Sequence, residues 1–489
     1  MQPRSGVPVM SADRKQQLLK RHRRNKRVAL LIGLLVLLVL GVTVAWWLPL
    51  LVAVIGWVAH EAWFADHLFY SPHEDYQYSL SSENECVVHV DDGWLRVEEG
   101  LTISETDTLI LEVRLRSTWL GRFLDPQVEI VSTDIADRQA FERGVQGLRY
   151  VNLTGAARSL VQGKLWLGAR FCRIDGAPRL WCFAHADARA RRVMVIAPHA
   201  DDAELAAFGL YSQASDAWIV TLTAGEIEAE HYRDMGLGRA EAARMKGRLR
   251  AWDSIAVPRW GGVPEAQCVQ LGYFCMQLPV MQAEPTKAVG SREAALEDTR
   301  LFRQFNALSL PGDDGVPSWN NLVADLRAVL LMARPQVVVM PHPTIDPHPD
   351  HVAAEAALRE ALKGLEWQPE TILGYANHLH DNDRWPMGQA HSGVSLPPVF
   401  TGDAGLVPYS LELSERVRRD KAMALGMMHD LQPPMPFKRR LRRCLQRWLA
   451  GRRHALEGEN EFFRKAVRRH ELFWRQDLPP ADSQALPDS

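Results

Sequence analysis

The stretch Val28–Val58 carries no charged residue, and nothing else in the sequence limits the fold of this chain so sharply. As a helix it spans about 46 Å at about 1.5 Å per residue, against a hydrocarbon core of about 30 Å. It is too long for the apolar region of a signal peptide, and no small-residue cleavage site follows it closely. The run reads as a membrane anchor, and residues 1–27 before it, with the basic stretch Arg14 to Arg27, as a cytoplasmic segment. Two arrangements satisfy the length. A single pass puts the rest of the chain across the membrane from that cluster. A hairpin turning near Pro49 and reaching Phe69 brings it back.

At 489 residues the chain has room for two or three domains of about 100–200 residues each. A formal net charge of −2 excludes a general nucleic-acid binder. None of the six cysteines forms a C-x-x-C pair, which argues against a thiolate zinc cluster. Cys172/Cys182 and Cys268/Cys275 are close enough in sequence to pair, and free buried thiols fit equally well.

After the anchor the chain changes rhythm twice. Over residues 76–190 short runs such as Leu109 to Arg116 alternate apolar and polar with period two, predicting a small β-rich domain of sandwich type. It serves as a structural appendage unless it binds sugar. From about residue 191 apolar strands (VMVIA, WIVTLT, VVVM) alternate with helical stretches, among them Asn320 to Ala333, capped by Ser318 or Asn320. That alternation predicts a Rossmann-like α/β domain over 191–430, a mostly parallel sheet with helices on both faces. Gly261 to Pro317 reads as irregular, its Met, Phe and Tyr residues as core. Residues 431–489 read as a basic helical tail, with Leu441, Leu445, Trp448 and Leu449 on one face, able to lie on anionic lipid or to pack on the domain as a solvated surface helix.

Chemistry concentrates in two loops, each directly after a strand. APHADDAE places His199, Asp201, Asp202 and Glu204 together; MPHPTIDPHPDH places His342, Asp346, His348, Asp350 and His351. One such loop could simply cap the helix behind it. Two, both at strand carboxyl ends where open α/β sheets bind ligands, suit a metal with neighbouring acid–base groups.

These loops resemble the signatures H-P-D-D-(A)-E and H-P-D-H of the PIG-L/LmbE-like N-acetylglucosaminyl de-N-acetylases, here His199-Ala-Asp-Asp-Ala-Glu and His348-Pro-Asp-His351. The resemblance covers about Arg192 to Asn377 and includes Thr221 to Glu226 and the pair Arg239/Glu241. It implies a Zn2+ ion held by His199, Asp202 and His351, with Asp201 as general base. His348 would stabilise the oxyanion or protonate the leaving amine. Beside these, Asp350 orients a neighbouring histidine or caps its loop or helix, and Arg239 contacts substrate hydroxyls or phosphate or is a solvated surface charge. Ala200 stands where the family has proline, and Phe208-Gly209 where it has two small residues.

The implied function is zinc-dependent hydrolysis of the N-acetyl group of an N-acetylhexosamine in an envelope glycolipid or polysaccharide, such as lipopolysaccharide core, at a bacterial cytoplasmic membrane. The partners are then that amino-sugar substrate and membrane lipid. Two other readings remain: a non-catalytic sugar-binding membrane protein, and a zinc amidase acting on a different N-acyl sugar conjugate.

Overall fold

The computed structural model describes residues 9–66, 68–98, 102–379, 381–401, 405–433 and 435–479. The first eight residues of the basic segment and the last ten of the tail lie outside them.

Helix α1 (Val9–Thr43) contains the one helix, Lys20–Thr43, that is long and apolar enough to cross a membrane among the described residues. The uncharged run is not continuous: α1 stops, and a second apolar helix, α2 (Leu48–Ala59), follows. Pro49 explains the break, since it lacks an N–H and is tolerated only in a first helical turn, where it sits. Gly41 accommodates it, for a Cβ there would meet Pro49 Cγ at 2.9 Å. A wide π turn, His60–Phe64, then joins the body.

Nine strands follow: β1 (Glu85–Cys86), β2 (Val88–Asp91), β3 (Trp94–Val97), β4 (Thr108–Ser117), β5 (Gln127–Val131), β6 (Ala136–Ala140), β7 (Gln146–Asn152), β8 (Leu165–Arg170) and β9 (Cys172–Phe183). They make two antiparallel sheets, β1-β9-β4-β7 and β2-β3-β8-β5-β6, around one apolar cluster that includes Leu109, Leu111, Val128 and Leu167. β4 is not half-buried as its alternation predicts. Ile110 on its other face is also buried, in a second cluster with Leu472 and Trp474. Thr108 and Asn152 explain the docking: Ser410 N donates to Thr108 Oγ1, and Asn152 Nδ2 to Ser410 Oγ, both at 2.8 Å. All six cysteines are free.

The third sheet contains β10 (Arg192–Ala197), β11 (Asp216–Thr223), β12 (Cys268–Tyr273), β13 (Val337–Pro341), β14 (Thr371–Tyr375), β15 (Val407–Glu412) and β16 (His470–Asp477). Their order is β12-β11-β10-β13-β14-β16-β15, the first five parallel and the last two antiparallel. β10 alternates between faces. Val193 and Val195 pack with α3 (Asp202–Tyr211) and α4 (Arg239–Trp260), Met194 and Ile196 with α5 (Trp319–Ala333) and α6 (Pro349–Leu362). Ser318 caps α5, its Oγ accepting from Asn321 N.

Two sequence expectations need correction. Gly261 to Pro317 is not irregular throughout: it holds β12, wholly buried at the edge of the sheet, whose short run is interrupted by Gln270 and Gly272 and so lacks a clear period. The tail is not only helical: behind helix α7 (Glu415–Met427) and the basic helix α8 (Phe437–Leu449), β16 enters the sheet between β14 and β15.

β16 also explains Phe208-Gly209. α3 leaves helical geometry at Ala207, and the freed N–H groups of Gly209 and Leu210 donate to Glu471 at 2.7 and 2.9 Å. A Cβ on Gly209 would lie 2.2 Å from Leu413. Glu471 is paired at 2.7 Å with Lys421 of α7, both side chains only 1% exposed. Removing one partner of a buried pair costs about 3–5 kcal/mol, whereas an exposed pair contributes about 0–1 kcal/mol. Lys421→Met should therefore lower unfolding stability by about 3–5 kcal/mol. Arg419→Met, which breaks the exposed pair with Glu415 on the same helix, should cost under about 1 kcal/mol. Urea unfolding of the two variants measures the contrast.

Candidate metal and active site

β10 and β13 are neighbours whose connections leave in opposite directions, so a crevice opens beyond their carboxyl ends. Both His/Asp loops start there. Asp202 begins α3 and His348 precedes the first residue of α6, so each loop is pinned by a strand behind and a helix ahead.

The donor atoms converge. Asp202 Oδ2 lies 3.1 Å from His199 Nδ1 and 3.1 Å from His351 Nε2, and those two ring nitrogens are 3.4 Å apart. The opposite ring nitrogens are held by carboxylates: His199 Nε2 by Asp350 at 3.1 Å and His351 Nδ1 by Asp346 at 2.9 Å. Such outer carboxylates fix ring tautomer and direction at metal sites. Asp202, Asp346, Asp350 and His351 are almost wholly buried. Burial opposes charge on His351, yet the carboxylates of Asp202 and Asp346 push its pKa up to about 10. Burial likewise opposes charge on His199, yet Cys275, Asp202 and Asp350 raise it well above the ordinary histidine value. The field at this point calls for a cation, which a bound metal satisfies as well as protons do.

All seven residues singled out in the sequence can be located. His199, Asp202, His351, His348 and Asp350 come together, with His348's ring centroid 5.0 Å from His199's and 4.8 Å from His351's. Burial and the neighbouring His351 and His199 push the His348 pKa down to about 3, so its imidazole is neutral. Asp201 borders the cluster and accepts from Arg250 Nη2 at 2.9 Å. Arg239 is not part of this network: its side chain is 64% exposed and pairs with Glu293 at 3.1 Å. Its neighbour Glu241 accepts from Gly238 N, closing the start of α4. Glu204 of the first motif is buried, bonded to Tyr211 and pushed up to about 8 by burial, a neutral acid.

Other residues reach the site without having been assigned a role from sequence. After β14, Asn377 Nδ2 donates to Asp202 Oδ1 at 2.8 Å, and the backbone N–H groups of Asn377 and His378 donate to Asp346. After β12, Met276 at φ +61° aims its N–H at Asp350, 2.6 Å away. Cys275 beside it offers Sγ within 4.8 Å of ligand atoms of His199 and Asp350. His199/His348/His351 and Asp202/His351/His378 also gather within 4.8 Å. Asn377-His378 had a usable signal, a polar pair one residue past an apolar strand. Arg250, in mid-helix, had none.

Residues 194–362 match the model of the PIG-L family, GlcNAc-PI de-N-acetylase. The chain carries a PIG-L domain. No curated protein sequence matches the chain at a significant level. Solved structures similar to it include a deacetylase triple mutant from the teicoplanin biosynthetic pathway, at 14% identity over 59% of this chain and 98% of that one, with a TM-score of 0.31. GalB, the 4-carboxy-2-hydroxymuconate hydratase of Pseudomonas putida, has 13% identity over 53% of this chain and 84% of its own, also with a TM-score of 0.31. At that TM-score neither likeness carries an argument. The match makes the PIG-L domain deacetylase-like, and its His/Asp cluster has the donors to hold a metal.

If Asp350 and Asp346 steer the two histidines of the PIG-L site, Asp350→Asn and Asp346→Asn should each lower metal affinity by roughly 10–100-fold. Arg239→Ala should leave it unchanged. Competition with a chromophoric chelator reads both, and equal affinities across the three variants would remove the carboxylates from that role.

Proposed function

We propose that this chain is a membrane-anchored, zinc-dependent hydrolase that removes the N-acetyl group from an amino sugar of an envelope glycolipid or polysaccharide. The observation that carries the reading is the spacing of three donor atoms on His199, Asp202 and His351, at 3.1, 3.1 and 3.4 Å. Ligands about 2.0–2.1 Å from one tetrahedral zinc stand about 3.3 Å apart, so these residues fit that ion. They leave a fourth position open, as catalytic zinc requires.

A zinc ion bound there supplies Lewis acidity, lowering the pKa of water towards about 7 and polarising a carbonyl. Asp201, its side chain 14% exposed, accepts a proton from the attacking water while Arg250 holds the carboxylate in place. His348, neutral, donates a hydrogen bond to the oxygen on which charge develops. A neutral imidazole suits that task better than protonating the leaving amine, which needs an imidazolium. Burial of the loops excludes water and strengthens each of these contacts.

The anchor supports a membrane-bound substrate, since tethering raises the effective concentration of anything in the same bilayer. The test uses the full chain in lipid with an N-acetylhexosamine glycolipid and follows free acetate together with a new primary amine. His199→Ala should lose both metal and turnover. Asp201→Asn should keep the metal and slow the reaction by roughly 10²–10⁴-fold. Full turnover by a metal-free His199→Ala protein would sink the zinc reading, and a normal rate in Asp201→Asn would move the base elsewhere.

A further inference from the structure

A second concave site lies mostly outside the PIG-L match. It is a cavity of about 1030 Å³ walled by the segment after the anchor (Ala65, Asp66), the loop before β5 (Leu124, Asp125) and α8 with the chain behind it. At its wall the guanidinium groups of Arg384 and Arg452 meet the carboxylates of Asp66 and Asp125, with Arg143 behind them. Arg452 lies 3.5 Å from Asp125 and also pairs with Asp66; Arg384 reaches Asp125 at 2.7 Å; Arg143 reaches Asp125 at 3.6 Å. The cluster is therefore one positive charge in excess. It is also buried, Arg452 being 8% exposed. Nη1 of Arg143 and Nη2 of Arg452 are buried with no hydrogen-bond partner among the described residues. Burial and the adjacent Arg452 push the Arg143 pKa down to about 10. Arg439 and Arg453 add exposed cations to the lining.

Desolvated guanidinium groups with spare N–H donors suit a tetrahedral oxyanion, which accepts several charge-assisted hydrogen bonds at once. The surroundings indicate where that anion comes from. Next in sequence to the lining residues Ala65, Leu124 and Pro436 stand Phe64, Phe123 and Phe437, which are 70%, 43% and 79% exposed. Phe64 ends the turn that leaves the anchor. Apolar side chains beside a membrane helix, flanking a cationic hollow, match the boundary between acyl chains and headgroups.

We propose that this cavity binds the phosphate headgroup of an anionic membrane lipid, with the lining residues Arg384, Arg439, Arg452 and Arg453 as its anion receptor and Arg143 behind them. The cavity is linked to Asp201 by ion pairs, because Lys246 and Asp430 line it and Asp430 pairs with Arg250, the partner of Asp201. Occupancy does not depend on deacetylation, so it is tested without turnover.

The full-length protein is equilibrated in micelles containing equal phosphatidic acid and phosphatidylcholine, and retained lipid is counted by native mass spectrometry. Phosphatidic acid should be retained preferentially. Arg439→Gln with Arg453→Gln should cut the preference by about fivefold for each Arg removed, with metal content unchanged. Arg440→Gln with Arg447→Gln removes the same charge from positions on α8 outside the lining and should leave the preference intact. Equal retention of both lipids overturns the proposal, as does an equal loss in the two double variants, which would assign binding to the helix surface. Inorganic phosphate that raises the unfolding temperature without selective lipid retention also overturns it, in favour of a soluble phosphate ester.

Discussion

One oxygen atom organises the catalytic end of this molecule. Oδ2 of Asp202 accepts from the backbone N–H of His199 and lies within 3.1 Å of two imidazole nitrogens, while Asn377 holds the other oxygen. A buried carboxylate is tolerable only when such partners surround it. Those partners come from the ends of three strands, β10, β13 and β14. Asp350, one shell out, adds β12 through Met276 N, and Glu226 beyond β11 accepts from Cys275 N. All five parallel strands must therefore be in register before the site exists. The site and the sheet are one structure, not a cluster laid on a scaffold.

The same logic extends towards the apolar amino-terminal helices. Glu61, almost fully buried in the turn after α2, pairs with Arg442 of α8, and Gln446 donates to its backbone carbonyl. Trp63 Nε1 donates to Phe123 O in the β-rich part, and Arg143 donates back to Trp63 O. Charged groups taken out of water fix direction as well as position, because their hydrogen bonds are directional. The chain beyond His60 is thus continuous with the body rather than a slack tether. The turn after α2, α8 and the cationic cavity lie together.

How much of this could be read in advance depended on whether a signal was local. The anchor, the strand–helix alternation and the paired His/Asp loops are local, since side-chain periodicity and turn chemistry act over a few residues. The same holds for Asp350, in the first turn of α6 and beside His351. β12 was missed because Gln270 and Gly272 interrupt its apolar run. Gln270 is there to bond Gly272 N and Ser254 across the fold. β16 was missed because it arrives after a long basic stretch, and its place between β14 and β15 is a matter of pairing, not of sequence neighbourhood. Arg239 drew attention for opening a helix beside a matching motif. Eleven residues along the same helix, Arg250 makes the contact with Asp201, and nothing around it distinguishes it from other surface-type arginines.

What the sequence determined by itself was an apolar amino-terminal stretch long enough to cross a membrane, an α/β domain, and two strand-end loops whose His and Asp spacing suits a metal. Each follows from forces that act along the chain: the length of an apolar run, the period of its side chains, and residue types fixed at set intervals. Tertiary structure alone decided which ring nitrogen faces Asp202 and which faces an orienting carboxylate. It also decided that Arg250 partners Asp201, and that a surplus of arginine is buried where the chain leaves α2 for the body. These depend on distances between residues hundreds of positions apart, set only when the sheet closes and desolvation makes each unmatched charge or polar group costly.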